Sequence, residues 1–150
     1  MARFHVGQGI DAYIDTLQNF EQTIGDDIGR AIFSGAAVVA DAIRANIKSL
    51  PKEACTPKEK AGLLDGLGIA RMEYKDGYYD VKIGFHGYNS VKTKKYPKGQ
   101  PNAMIARSVE GGSSWRPRHP FVAPAIRATR AEAEKKMAEE IDKIYQSKTG

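Results

Sequence analysis

Three stretches of the chain place apolar residues three and four apart, the spacing that lines one face of a helix, and one stretch alternates them as a half-buried strand does. Ile10, Tyr13, Ile14 and Leu17 mark a short amphipathic helix over 10–20, part of an N-terminal helical arm, residues 1–25, that Gly25 is expected to end or bend. Ile28, Ile32, Val39, Ala42, Ile43, Ile47 and Leu50 predict a long helix near 27–50, capped by Asp26 or Asp27 and stopped by Pro51. At about 1.5 Å per residue it spans roughly 35 Å. Gly35, Ala36 and Ala37 in its middle leave room for a second backbone. Ile126, Ala133, Met137, Ile141, Ile144 and Tyr145 predict a final helix over 124–145, with Glu132, Lys136, Glu139 and Glu140 mostly on its other side.

Alternation appears in Tyr79, Val81, Ile83 and Phe85 against Asp80, Lys82 and Gly84. The segments 67–74 and 78–85 flank Lys75-Asp76-Gly77, and Asp-Gly suits a tight hairpin turn with positive φ. Between the long helix and this hairpin, residues 51–66 read as a polar connection with a short helical turn around 57–61. Residues 103–110 read as a short strand or turn offering Met104, Ile105 and Val109 to the core. The whole chain, 1–150, is expected to form one α+β domain: a long N-terminal helix and a C-terminal helix packed on a small, mainly antiparallel sheet.

Two segments depart from this regular scheme. Residues 86–102 carry Lys92, Lys94, Lys95 and Lys98 without an acid, among Gly87, Pro97, Gly99 and Pro101, and read as a long mobile basic loop. Residues 107–126 join a strand-like end, a Gly-Gly-Ser-Ser hinge at 111–114, a basic proline corner and a helix start. Pro120 and Pro124 keep this stretch extended until Pro124 opens the last helix in its first turn, with Phe121 and Val122 as anchors against the core.

Charge sharpens the contrast. Residues 1–85 hold 10 basic and 12 acidic side chains, residues 86–119 hold 7 and 1, and residues 120–150 hold 6 and 5, so the net +5 resides in the middle. A polyanion or an acidic neighbour facing that segment follows. The lysine loop is either a solvated surface or a track along nucleic-acid phosphate, where binding weakens with salt. Trp115, Arg116 and Arg118 are either a phosphate grip or an interface anchor, and Arg107 with Glu110 an ion pair or a subunit contact.

No enzyme is expected, because no acid, base and nucleophile set assembles from these residues. His5, His86 and His119 stand apart from any ligand spacing, and neither a phosphate-binding glycine loop nor a nucleophile elbow occurs, so no cofactor or metal is expected. The single Cys55 allows no internal disulfide and suits a reducing compartment. With no signal-like or membrane-length apolar run, the chain is expected to be soluble and made in the cytoplasm.

The order of elements, with Ala-Gly-Leu-Leu at 61–64, Ser-Val-Glu-Gly-Gly-Ser-Ser at 108–114 and Pro-Phe-Val-Ala-Pro-Ala-Ile at 120–126, resembles the minor tail, or neck and tail-completion, proteins of tailed bacteriophages. The resemblance runs from about Gly9 to Tyr145, and the lysine loop looks like an elaboration on it. It implies a virion protein, present in the host cytoplasm during assembly, that forms a ring between head and tail as a terminator or neck component. A hexamer or dodecamer is expected, between a head connector or stopper and the tail tube, with double-stranded DNA in the channel and no membrane. The rival expectation is a small basic nucleic-acid-binding module, which would bind DNA as a monomer.

Overall fold

The computed structural model describes residues 2–5, 23–71, 73–76 and 78–149. Its elements are β1 (Ala2–His5), α1 (Thr23–Lys48), α2 (Pro57–Gly66), β2 (Leu67–Ile69), β3 (Glu73–Lys75), β4 (Tyr78–Phe85), α3 (Asn102–Gly111) and α4 (Ala123–Thr149). The short helix expected at 10–20 lies outside the described residues. Gly25 lies inside α1, which starts two residues earlier at Thr23, so neither Asp26 nor Asp27 is the cap expected from sequence.

β4 is the centre of the sheet because the three other strands among the described residues pair with it, each antiparallel. β1 occupies one edge, with Ala2 opposite Ile83 and His5 opposite Asp80. β2 and β3 lie end to end along the other edge, pairing Ile69 with Ile83 and Glu73 with Asp80. The expected first hairpin strand is thus two short ones. At the turn, Lys75 pairs with Tyr78 and Asp76 takes φ +53°, the left-handed conformation that the Asp-Gly sequence favours.

α1 is the middle layer, packed on β2 and β4 on one side and on α4 along much of its length. Ile28, Ile32, Val39, Ile43 and Ile47 are completely buried, as their helical spacing requires. α4 runs antiparallel to α1 and contributes Ala133, Met137 and Ile141, all fully buried. The crossing is close at Gly35, where a Cβ would lie on Met137 Cγ and 3.0 Å from the Ala133 carbonyl oxygen. Asn46 Nδ2 donates to the Phe121 carbonyl at 3.0 Å, tying the far end of α1 to the start of α4.

Two segments are more helical than the sequence pattern suggested. Residues 57–66 form a full helix, and α3 replaces the strand or turn expected at 103–110. In α3 the buried positions Asn102, Ile105, Ala106 and Val109 fall at helical spacing, and burying that face decides the local structure.

Candidate assembly surface

The basic segment, residues 86–119, is fastened to the body at four places. The first is α2, whose N-terminus is a complete capping box: Thr56 Oγ1 accepts from the Glu59 amide at 3.3 Å and Glu59 Oε1 accepts from the Thr56 amide at 3.0 Å. The other oxygen of Glu59 meets Arg116 Nη2 at 2.6 Å, while Arg116 Nη1 donates to the Ala54 carbonyl at 3.2 Å. Burial acts to raise the Glu59 carboxyl, but the Arg116 hydrogen bond, the Thr56 amide, the guanidinium charge and the Thr56 hydroxyl together hold it below its ordinary value. One carboxylate therefore starts a helix and holds an arginine that lies 57 residues away in sequence. Cys55 beside it is buried, and its thiol is pushed up to about 11 by that burial and by the Glu59 charge, against the pull of Arg116 and Lys60. Lys60 Nζ donates to the Leu50 carbonyl at 2.7 Å, just past the end of α1.

The second fastening is the base of the lysine loop. Asn89, buried, accepts at Oδ1 from the amides of Val91 at 2.9 Å and Gln100 at 3.0 Å, and its own amide donates to the Gln100 carbonyl at 2.9 Å. Asn102, equally buried, donates from Nδ2 to the His86 carbonyl at 2.9 Å. Both asparagines pack on the glycine face of α2. A Cβ at Gly62 would lie 2.5 Å from Asn102 Oδ1 and 2.6 Å from Asn89 Cβ, and one at Gly66 would meet the His86 carbonyl oxygen. The segment expected to be a mobile loop is folded back on itself. Its tip is a tight turn from Thr93 to Tyr96, with Lys94 and Lys95 exposed and Lys95 Nζ 5.6 Å from the Tyr96 ring centre. Lys92 and Lys98 are exposed beside it.

The third fastening replaces the expected glycine hinge. Gly112, at φ +79°, closes α3 with its amide on the Ser108 carbonyl, and Ser113 and Arg116 then pair across a tight turn. That turn points Arg116 inward and leaves Trp115 85% exposed at its tip. Arg116, expected from sequence at an interface or on a phosphate, is here engaged within the chain as a brace between this turn and α2.

The fourth is Glu110. Its carboxylate accepts from three consecutive amides, Phe121 at 2.7 Å, Val122 at 2.8 Å and Ala123 at 3.0 Å, and makes no ion pair with Arg107. A negative group on the unpaired amides at a helix start supplies what that end lacks. Phe121 is 1% exposed and meets Phe85 edge-on, with ring centres 6.0 Å apart. Val122 and Pro124 are half-buried beside it. Arg107 and Arg118 remain exposed.

Sequence reasoning passed over Glu59, Asn89, Asn102 and Asn46. Only Glu59 carried a local signal, the Thr56-Pro57 start with a glutamate at the third helical position. Among the described residues no three His, Cys, Asp or Glu side chains gather as a metal site, and no helix is long and apolar enough to cross a membrane.

Fold and surface together define a small α+β protein whose buried polar contacts hold a basic, tryptophan-bearing face outward. Residues 11–112 match the family described as "Bacteriophage HK97-gp10, putative tail-component", and the chain belongs to that HK97-gp10-like family. It is accordingly a structural tail-component protein of a tailed bacteriophage, a component of the virion. No protein of curated function and no solved structure matches the chain.

Proposed function

We propose that the protein is a subunit of a ring at the junction of phage head and tail, acting as a tail-completion or neck component through which DNA passes. The observation that carries this reading is the lysine loop. Four exposed lysines are presented on a turn closed by Asn89 and Gln100, while the neighbouring acids Glu59 and Glu110 are engaged within the chain. A cationic face held in one shape suits repeated contact with a phosphate backbone without reading sequence. The family supports the structural role, and the exposed Trp115, Arg107 and Arg118 supply contacts for neighbours.

The test replaces Lys92, Lys94, Lys95 and Lys98 together with glutamine in the phage. Rings and complete particles are expected to form, with DNA retention or ejection altered. Particles indistinguishable from the parent in both respects would remove DNA contact from the reading. Electron microscopy showing the protein absent from the head–tail junction would remove the ring itself. Salt-dependent DNA binding by an isolated monomer, absent from particles, would favour the free nucleic-acid-binding module instead.

A further inference from the structure

We propose that the groove between β4, α3 and the start of α4 receives the acidic N-terminal segment, residues 10–21, of a second copy of this chain. The proposal rests on the ring-subunit reading and names the contact by which one subunit holds the next.

The groove, about 410 Å³, is walled by Phe85, Ala103, Ala106, Val122 and Ile126, with Arg107 exposed at its rim. Glu110 also lines it, but both carboxylate oxygens are taken by backbone amides, so the rim presents Arg107 within a segment carrying 7 basic side chains and 1 acid. The fitting ligand is an apolar helix face edged with acids, in the helix-in-groove manner. Residues 6–22 have that composition: Ile10, Tyr13, Ile14 and Leu17 at helical spacing, Asp11, Asp15 and Glu21, and no Lys or Arg.

The points where this segment joins the fold exclude the chain's own groove. β1 runs antiparallel to β4 and ends with His5 opposite Asp80, heading away from Phe85 and about 17 Å from it along the strand. The segment's other end is Thr23, the first residue of α1, whose Asn46 bonds Phe121 beside the groove. Thr23 stands roughly 35 Å along the helix from Asn46. A helix over 10–20 centred on the groove covers about 8 Å of that by half its length. The links from Phe20 to Thr23 add roughly 10 Å, which leaves Thr23 out of reach. Thr23 and the groove stand at opposite ends of α1, and a head-to-tail pairing that brings one subunit's segment to the next subunit's groove is the kind of contact that closes into a ring when the rotation permits.

The experiment mixes full-length Leu17→Cys copies with full-length Ala103→Cys copies under oxidising conditions, the native Cys55 being buried in both. A disulfide joining two chains is expected about tenfold faster than in a control mixture of Leu17→Cys with Ser90→Cys, because docking raises the local thiol concentration. Adding Arg107→Glu to the Ala103→Cys copy slows it, and Asp11→Lys with Asp15→Lys on the other copy restores it. Cross-linking no faster than the control overturns the proposal, as does a Leu17→Cys, Ala103→Cys chain that closes only on itself. Native mass spectrometry separates the two readings: rings without the cross-link defeat this contact alone, whereas the cross-link in pairs that never grow defeats the ring and leaves the contact.

Discussion

Arg116 and Glu59 form a buried ion pair at 2.6 Å, with side-chain exposures of 16% and 6%. The pair joins the turn that carries Trp115 to the start of α2. Removing one member leaves the other charged and largely out of water, so Arg116→Met is expected to cost about 3–5 kcal/mol in urea unfolding. Glu59→Met with Arg116→Met should cost less than the two single changes added.

The same pair sets a pH dependence. Glu59 titrates below the ordinary 4.5 in the folded chain, so its contribution is complete above that value and disappears as the pH falls through it to the lower folded one. Unfolding free energy measured across the acid range should decline there, and the decline should be smaller in Glu59→Gln, which has lost the pairing at every pH.

Glu110→Gln keeps the shape of the cap but removes its charge and turns one of its two accepting oxygens into a donor, with an expected loss of about 1–3 kcal/mol. Hydrogen exchange is the sharper readout. The amides of Phe121, Val122 and Ala123 should exchange faster, while those in the middle of α1 change only with global stability.

Gly62→Ala or Gly66→Ala should push the lysine loop off α2, overpacking the contact by about 1–3 kcal/mol. Trypsin should then cut at Lys92 to Lys98 faster than in the parent. An unchanged cleavage rate would mean that the loop does not depend on the glycine face.

Phe121→Ala should cost about 3–5 kcal/mol, given full burial against Phe85. A loss below about 1 kcal/mol in denaturant unfolding would contradict that packing. Cys55, buried and with its thiol pushed up to about 11, should resist alkylation at neutral pH until the chain unfolds.

The long elements were legible because their spacing repeats over many turns: Ile28 to Ile47 admits one period, and so does Ala133 to Ile141. The hairpin was legible from Asp76-Gly77, where local backbone preference alone sets the turn. α3 was not, since Met104, Ile105 and Val109 over so short a run fit a strand as well as a helix, and only the burial of Ala106 and Asn102 decides between them. α2 was obscured by Gly62 and Gly66, residues that ordinarily weaken a helix and here make room for Asn89 and Asn102. The site contacts were the least readable. Glu110 has Arg107 one turn behind it in sequence, yet it bonds amides beyond Pro120. Glu59 finds its arginine only after the sheet and α3 have brought the two together.

Because Glu110 engages three successive amides with one carboxylate, α3 and the start of α4 are coupled at a single side chain. A displacement of the groove wall is therefore passed to the start of the last helix through these bonds.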